Sequence, residues 1–305
     1  MILKKSMIFF ILLLTTAQLL GQIPISSTFF QQKLEENANY YLVFEDNFDG
    51  NSLDLTKWNP VIGVPRDFDF SQQKAWHQPD NLEVSNGTLK IIAKKLDKHY
   101  EGTWETDWST NPPKTKTAHF NYTTGELWTK QKFLYGKYEI RCRLPKGKGF
   151  WPAFWTYGGK RWNEIDFFEI YGDEINRFTC NVHHDYDGDG NSENCRFAKN
   201  NVADFSQWHV FTCIFDYDKI TWQIDGKTIR TFYRFCLLNP NSCGLNSDIN
   251  NDFQEPAFPE ESMHIIVNLA IQSGKNAPNR KTIFPKTFEV DYVRFYAKRQ
   301  TFPFK

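Results

Sequence analysis

Three carboxylates lie within six residues of an otherwise apolar stretch, at Glu164, Asp166 and Glu169. Alternate side chains of a β-strand point to the same face, so Glu164 and Asp166 share one. Strict alternation would place Glu169 among apolar side chains on the opposite face, where burying a lone carboxylate is costly. One extra residue at Phe167-Phe168, a β-bulge, would return Glu169 to the face of the other two acids. The spacing therefore predicts a bulged strand with three acids lining one surface.

Acids in this arrangement suit the cleavage of a glycosidic bond with retention of configuration. That reaction needs two carboxyl groups about 5–5.5 Å apart, one ionised as nucleophile and one protonated as acid. The Cα atoms of Glu164 and Glu169 would be separated by about 13 Å, a gap that two inward-leaning side chains on a curved strand largely close. Asp166 between them would hydrogen-bond one glutamate and raise the pKa of a neighbour. Two other interpretations are an exposed strand face with three solvated acids and a metal site.

The segments that must position these acids are predicted to be strands. β-Branched and aromatic residues alternate or cluster in the runs 89–93, 138–144, 209–215, 220–225 and 288–296. Turn sequences such as Asn86-Gly87 and Asp225-Gly226 separate them, and Asp-Gly between two runs predicts a β-hairpin. The polar stretch 97–119 is predicted to be a long surface loop, whose Trp104 and Trp108 either contact a ligand or anchor the loop. The whole pattern indicates an antiparallel all-β domain.

The composition excludes two classes of protein. The 305 residues carry 36 basic and 36 acidic side chains, which gives a formal net charge of zero. A nucleic-acid-binding protein would carry a basic excess, so no nucleic-acid partner is expected. Aromatic residues make up 17% of the chain, enough to build a core, which argues against intrinsic disorder. We therefore expect a folded globular domain.

The N-terminus has the pattern of an export signal. Lys4 and Lys5 precede the apolar run 7–14, and small residues follow it. The apolar run falls short of the ~20 residues that span a bilayer, so we predict a cleaved signal peptide over 1–21 and no membrane span. Residue 22 is Gln rather than Cys, which argues against a lipoprotein. The protein is expected to be secreted, or held in the periplasm or at the cell surface of a bacterium.

Export makes disulfide bonds possible, and six cysteines follow the predicted signal peptide. Cys142 and Cys213 lie inside apolar alternations, where a cross-strand bridge and buried thiols are both left open. No CxxC pair occurs, so a cysteine-bound zinc cluster has little support. The favoured bridges, each closing a short polar loop, are Cys180–Cys195 and Cys236–Cys243.

The segment Glu164-Ile165-Asp166-Phe167-Phe168-Glu169 resembles the ExDxxE signature of glycoside hydrolase family 16. The two residues before Glu169 resemble the bulged branch of that family, which includes laminarinases, agarases, porphyranases and carrageenases. The similarity covers about residues 42–297 in the family's order. Further segments that resemble the family's strands are Val43–Gly50, Tyr122–Leu127, Tyr135–Arg141, Gly149–Trp155, Asn268–Ala270 and Val290–Arg294.

The resemblance implies a β-jelly-roll sandwich of two antiparallel curved sheets with a concave substrate cleft. It implies Glu164 as the nucleophile, Glu169 as the general acid/base and Asp166 as an auxiliary acid. Residues 161–163 depart from the Trp-Pro and Gly that many laminarinases carry before the first glutamate, which leaves the substrate open. We place a leader segment at 22–39, the catalytic domain at 40–299 and a tail at 300–305.

Aromatic and polar side chains near the acids are the candidates for binding sugar rings and hydroxyl groups. Alternation places Trp162 on the face of Glu164, and Asn181 on the face of His183. His183 also resembles a cleft histidine of the bulged branch. The expected substrate-binding residues are Trp151, Trp155, Trp162, Asn181 and His183, with Arg141, Trp76 and Trp128 as weaker candidates.

Catalysis is expected to need no cofactor, and a structural calcium ion is left open. Residues 185–191 match the first half of a calcium loop, but its twelfth position is Arg196 rather than Glu and no helices flank it. A second candidate ligand is Asp291, which resembles the calcium-binding aspartate in the closing strand of family members.

The resemblance implies a retaining, endo-acting glycoside hydrolase with a polysaccharide substrate, and we expect it to be a monomer. The favoured substrate is a β-1,3-glucan of the laminarin type, and the alternative is a marine galactan such as agar, porphyran or carrageenan. A non-catalytic carbohydrate-binding protein on the same fold is a further hypothesis, which the presence of both Glu164 and Glu169 disfavours. Hydrolysis and transglycosylation are both left open.

Overall fold

The computed structural model describes residues 39–64, 72–107, 111–159, 163–184, 193–234 and 259–299. Several features of the sequence analysis lie outside these residues. They are the signal peptide, the leader up to residue 38, Trp108, Arg161-Trp162, the aspartate-rich loop 185–191, Cys236, Cys243 and the tail 300–305.

The described residues form strands and three short 3₁₀ turns, so the all-β expectation is confirmed. The turns are Pro79–Asn81, Gly172–Glu174 and Gly274–Asn276. The strands are β1 (Tyr40–Asp46), β2 (Trp58–Pro60), β3 (Ala75–His77), β4 (Leu82–Ser85), β5 (Thr88–Asp107), β6 (Lys114–Thr124), β7 (Glu126–Phe133), β8 (Gly136–Arg143), β9 (Phe150–Tyr157), β10 (Glu164–Glu169), β11 (Phe178–His184), β12 (Glu193–Asn194), β13 (Phe197–Lys199), β14 (His209–Phe215), β15 (Lys219–Ile224), β16 (Lys227–Tyr233), β17 (Met263–Ile271) and β18 (Lys286–Lys298).

Two sheets build the fold over the described part of the chain. The ten-stranded sheet has the order β16-β15-β14-β8-β18-β5-β6-β3, with β1 beside β18 and β4 beside β5. The eight-stranded sheet has the order β12-β11-β10-β9-β17-β7-β2, with β13 beside β11. Strands distant in sequence are neighbours, as where β17 lies between β9 and β7.

Phe167 and Phe168 of β10 pack into the core between the sheets. The Phe167 ring lies 4.8 Å from that of Tyr138 on β8, measured between centroids. The Phe168 ring lies 4.5 Å from Phe211 on β14 and 6.2 Å from Phe288 on β18. Since β8, β14 and β18 belong to the ten-stranded sheet, these contacts seal the two sheets together. They also leave the other face of β10 for polar side chains.

Turns occur where the sequence predicts them. Asn86 and Gly87 have φ of 54° and 71°, and Asp225 and Gly226 have φ of 50° and 77°. Two successive residues with positive φ match the type I′ turn that suits a two-residue hairpin. The hairpin predicted at Asp225-Gly226 is therefore confirmed, and it joins β15 to β16.

The expectation of a long surface loop at 97–119 is wrong for the residues that the structure describes. β5 continues to Asp107 and pairs with β6, so this part of the chain is an antiparallel ribbon. Trp104 packs edge-on against Phe120, with ring centroids 6.0 Å apart, and so anchors the ribbon. Polar residues on both faces of most of this ribbon hide the alternation that reveals a half-buried strand.

The favoured bridge between Cys180 and Cys195 is not formed, because both cysteines are free. The Cys195 N–H donates to the Val182 carbonyl, whereas Cys180 pairs with Phe197. The two thiols are thus offset by two residues along the pair of strands instead of directly opposite. Cys142 and Cys213 are also free and buried, which decides that open alternative in favour of buried thiols.

Leu42–Lys298 forms one compact unit. A second unit comprises Met1–Tyr41 and Arg299–Lys305, of which the structure describes residues 39–41 and 299. No helix among the described residues has the length and apolar character needed to cross a membrane. The domain boundaries placed at 40 and 299 stay a prediction.

Candidate active site

β10 contains the bulge that the sequence predicts. Its register with β9 shifts between Asp166 and Phe168, so Phe167 is the additional residue. The β9 residues that pair with the three acids follow one another at intervals of two, so they share one face of β9, and all three acids lie on the corresponding face of β10. The cross-strand pairs are Glu164–Tyr157, Asp166–Trp155 and Glu169–Ala153.

All three acids line one cavity of about 460 Å³ on that face of the eight-stranded sheet. Four of the expected substrate-binding residues line the same cavity, namely Trp151, Trp155, Asn181 and His183. The cavity also has lining residues that the sequence analysis missed, among them Glu126, Tyr171, Arg196 and Asn268.

His183 joins β11 to the acids of β10. Its Nε2 lies 3.3 Å from Asp166 Oδ2, within hydrogen-bonding distance, and 3.5 Å from Glu164 Oε1. Burial opposes protonation of the imidazole, but the hydrogen bond to Asp166 and the negative charges of the three acids raise the pKa of His183 to about 9. His183 is therefore a cation at neutral pH, hydrogen-bonded to Asp166 and close to Glu164.

Glu169 holds a proton at neutral pH. Burial of its carboxyl group in the cleft is the largest cause, and the charge of Asp166 adds to it. The Arg196 guanidinium acts in the opposite sense, and Glu164 raises the proton affinity further. Together these effects raise the pKa of Glu169 to about 8.

The backbone on either side of the bulge is held by side chains from other strands. The Trp222 indole Nε1 donates to the Asp166 carbonyl at 3.2 Å, from the core side. The Thr179 hydroxyl donates to the Glu169 carbonyl. Asp166 itself is only 4% exposed, so its carboxylate depends on His183 for a cationic partner.

Aromatic side chains flank the acids in both directions. The Trp155 indole Nε1 donates to Asn268 Oδ1 at 3.0 Å, which fixes the ring on the cleft face. Trp151 meets Tyr171 edge-on with ring centroids 5.6 Å apart. Arg196 Nη2 donates to the Tyr171 hydroxyl at 3.3 Å. The cleft therefore combines flat apolar surfaces with hydrogen-bonding groups, as a sugar chain requires.

Two of the missed residues follow a pattern in the sequence. Tyr171 comes two residues after Glu169, so alternation would place it on the same face. Asn268 lies between buried Val267 and Leu269, which indicates that it faces away from the core. Glu126 and Arg196 carry no such pattern, because their place in the cleft depends on strand pairing across the whole fold.

One cluster of the described residues has the donor atoms and spacing of a metal site. Glu164, Asp166 and His183 have one donor atom each within 4.8 Å of one another. A raised pKa of His183 disfavours metal binding, because a proton occupies the lone pair that would bind the metal. The imidazolium supplies the positive charge that the carboxylates need in this arrangement.

The structure overturns the cleft placement of Arg141. Arg141 lies on β8 of the ten-stranded sheet, between Ile140 and Cys142, which point into the core. Its side chain therefore lies on the outer face of that sheet, where Nη1 contacts Asp291 Oδ2 at 2.5 Å and Trp208 covers the guanidinium.

This pair also argues against calcium at Asp291, because a guanidinium already neutralises the carboxylate. Asp291 belongs to no group of three or more His, Cys, Asp or Glu ligands in the described parts of the chain.

The fold and the cleft acids define the class of the protein. Residues 70–238, more than half of the chain, match the family Glycosyl hydrolases family 16. The chain belongs to this family.

Individual relatives agree with this assignment. The chain is 28% identical, over 86% of its length, to the glucan endo-1,3-beta-glucosidase A1 of Niallia circulans, and it spans only 38% of that protein. It is 28% identical, over 92% of its length, to the beta-glucanase of Rhodothermus marinus, of which it spans 93%. The laminarinase catalytic domain from Thermotoga maritima has a similar structure, with a TM-score of 0.65 at 26% identity, over 86% of this chain and 100% of that one.

Proposed function

We propose that the protein is an endo-acting glycoside hydrolase that cleaves a β-linked polysaccharide with retention of configuration. The observation that carries the proposal is the bulge in β10, which brings Glu164, Asp166 and Glu169 to one cleft face. The raised pKa of Glu169 supports the division of roles, because a retaining enzyme needs one protonated and one ionised carboxyl group.

In the proposed mechanism, Glu164 attacks the anomeric carbon while Glu169 gives its proton to the leaving glycosidic oxygen. This step forms a glycosyl ester on Glu164 and releases the first product with a new hydroxyl group. Glu169, now ionised, takes a proton from water, and the resulting hydroxide equivalent attacks the anomeric carbon. The ester bond breaks, the second product leaves with the original configuration, and Glu169 is protonated again.

Asp166 and His183 complete the proposed mechanism without touching the leaving group. His183 is close enough to stabilise the charge of Glu164, at 3.5 Å, and it hydrogen-bonds Asp166 at 3.3 Å. The Asp166 carboxylate raises the pKa of Glu169, which keeps the acid loaded between turnovers.

We propose a β-1,3-glucan of the laminarin type as the substrate, and export of the protein with residues 1–21 removed. The names of the two relatives and of the Thermotoga domain support a glucan. The charge of the described cleft residues supports a neutral polysaccharide, since three carboxylates outnumber the two cations, Arg196 and protonated His183. The carboxylates are Glu126, Glu164 and Asp166, while Glu169 is protonated at neutral pH.

The roles are tested with Glu164→Gln and Glu169→Gln, assayed on laminarin, mixed-linkage β-glucan, agarose and carrageenan. We expect the wild-type protein to cleave laminarin and each variant to lose about 100-fold or more in kcat. Glu139→Gln, on the outer face of the ten-stranded sheet, is the matched control and should retain full activity. Full activity in either cleft variant would overturn the roles, and cleavage of a galactan alone would overturn the substrate.

The stereochemistry is tested separately by NMR of the first products. A β-anomer released from a β-linked glucan supports a glycosyl-enzyme intermediate on Glu164. An α-anomer would contradict it, because a single displacement inverts the anomeric carbon.

A further inference from the structure

A group of aromatic side chains extends the cleft floor away from the acids, and we call it the aromatic platform. It consists of Trp128 on β7, Trp155 and Tyr157 on β9, and His264 on β17. Their chain neighbours Leu127, Phe154, Thr156 and Ile265 are fully buried on the core side. The platform therefore lies on the face of the eight-stranded sheet that carries the three acids.

The register of four strands leads from the acids directly to Trp128. Asp166 pairs with Trp155, Trp155 with Ile266, and Ile266 with Trp128. Three interstrand steps of about 4.8 Å put Trp128 about 14 Å from Asp166, measured across the strands. This distance exceeds the length of one sugar residue. A sugar chain that runs from the acids along this row therefore passes over Trp155 before it reaches Trp128.

The rings of the platform support one another. Trp128 contacts Trp155, Tyr157 and His264 at centroid distances of 6.4, 6.0 and 5.5 Å. Ile266, between Trp128 and Trp155 in register, is fully buried but lies outside the core cluster. The side chains on the cleft face therefore cover it, and partly exposed Trp128 and Trp155 present apolar surface to the cleft.

The platform is uncharged at neutral pH. Burial lowers the pKa of His264, and the nearby Lys132 acts in the same sense. The Nδ1–H of His264 donates to the Thr129 carbonyl at 2.6 Å, which fixes the ring beside Trp128.

A buried acid on the same strand holds Trp128 in place at the edge of its ring. Glu126 Oε1 accepts a hydrogen bond of 2.7 Å from the Trp128 indole Nε1. Glu126 Oε2 lies 3.3 Å from His77 Nδ1, and the two side chains are only 2% and 0% exposed. Burial makes the hydrogen bond from the indole important to this carboxylate, because Oε2 and both imidazole nitrogens of His77 have no hydrogen-bond partner among the described residues.

We propose that Trp128 binds a sugar residue several units away from the point of cleavage, and that Glu126 positions its indole. This subsite takes an uncharged sugar of a longer β-glycan, since the carboxylate at the edge of the ring disfavours sulfate and uronate groups. The proposal rests on the proposed function, because the row of residues begins at the catalytic acids.

The test compares Trp128→Ala with wild type on laminari-oligosaccharides of increasing length and on laminarin. We expect kcat/KM to fall about 3- to 10-fold on laminarin, mainly through KM, with a smaller loss on the shortest oligosaccharide cleaved. Trp128→Tyr should restore part of the loss, since it keeps a flat ring. Trp208→Ala, on the outer face of the other sheet, is the matched control. Equal losses at all lengths, or no loss on laminarin, would overturn the subsite.

The positioning role is tested with Glu126→Gln, which keeps a hydrogen-bond acceptor, and Glu126→Leu, which removes it. We expect the length-dependent loss only in Glu126→Leu, while thermal melting confirms that both variants fold. Equal kinetics in two folded variants would refute the role of Glu126. If Glu126→Leu does not fold, replacing the Trp128 indole by 3-benzothienylalanine, which lacks the N–H, decides the same question.

Failure of the proposed function is distinguishable from failure of this subsite. If the wild-type protein cleaves no glycan, affinity electrophoresis in laminarin gels compares its binding with that of Trp128→Ala. Weaker binding by the variant supports the subsite, and equal binding rejects it.

Discussion

Glu169 keeps its proton through neutral pH because burial and the charges of Asp166 and Glu164 oppose ionisation. His183 keeps its own proton because the same acids surround it. Both groups are therefore protonated at neutral pH, Glu169 as a neutral acid and His183 as a cation, whereas a free glutamic acid side chain is ionised and a free histidine mostly neutral there. The environment, rather than the residue type, decides which group can protonate a leaving oxygen.

The pH dependence of activity follows from the pKa of Glu169. Cleavage needs Glu169 protonated, and its pKa is about 8, so kcat/KM should fall tenfold per pH unit above that value. The measurement is kcat/KM on laminarin from pH 5 to pH 10, with folding checked by circular dichroism at each pH. Activity that stays constant up to pH 10 in a folded protein would contradict the assignment of Glu169 as the acid.

His183 provides the matched variant for that profile. Its positive charge lowers the pKa of Glu169, so His183→Ala should move the alkaline limb to higher pH. A limb that moves to lower pH would show that the imidazole does not act on Glu169 through its charge.

Individual site residues were predictable where strand alternation alone decides the face. Asn181 and His183 line the cavity because they are two residues apart on β11. Arg141 also alternates with buried neighbours, but the sequence does not say which sheet β8 joins. Its outward face belongs to the ten-stranded sheet, and its partner Asp291 comes from a strand 150 residues away.

At the scale of a single strand, β10 shows how a local irregularity creates the site. Phe167 and Phe168 are consecutive, yet both rings pack in the core. A regular strand would send one of them to the cleft face. The requirement to bury two adjacent aromatic side chains therefore favours the bulge, and the bulge returns Glu169 to the acids.

Deletion of Phe167 tests this relation. Without the additional residue the segment reads Glu-Ile-Asp-Phe-Glu, and strict alternation keeps the second glutamate on the face of the other two acids with no bulge. We expect the deletion variant to retain cleavage of laminarin, with a lower melting temperature because one buried aromatic side chain is lost. Phe167→Leu keeps the chain length and is the control, with activity retained and only a modest loss of stability. A folded deletion variant that has lost cleavage would contradict the view that the bulge serves to return Glu169 to the face of the acids.

Hairpins and the long ribbon differ in how far sequence predicts them. Asp225-Gly226 encodes its turn directly, because both residues tolerate positive φ. The ribbon of β5 and β6 encodes little, since side chains exposed on most of both faces leave no apolar period to detect. A polar strand is specified by its partner rather than by its own residues.

At the scale of the whole molecule, the two sheets have different structural roles. The ten-stranded sheet supplies core side chains such as Tyr138, Phe211 and Phe288, against which β10 packs. The eight-stranded sheet supplies the cleft, where Glu126 and Asn268 come together although 142 residues separate them. The all-β class follows from composition and period, but pairings over such separations depend on the complete fold.

The reactivity of the four free cysteines is a probe of this common core. Cys142, Cys180, Cys195 and Cys213 all belong to one hydrophobic cluster, and burial raises the pKa of each thiol. Both effects suppress alkylation, since the thiolate is the reactive form and the reagent must reach it. We expect iodoacetamide to leave all four unmodified in the native protein.

In increasing urea the four sites should become reactive together, because the sheets that bury them share one core and separate in one cooperative transition. Mass spectrometry of tryptic peptides measures modification at each site, with fully denatured protein as the reference for complete reaction. Early labelling of Cys195 alone would instead show that β12 and β13 open locally before the sheets separate. A Cys180–Cys195 disulfide in the unreduced digest would contradict the free thiols directly.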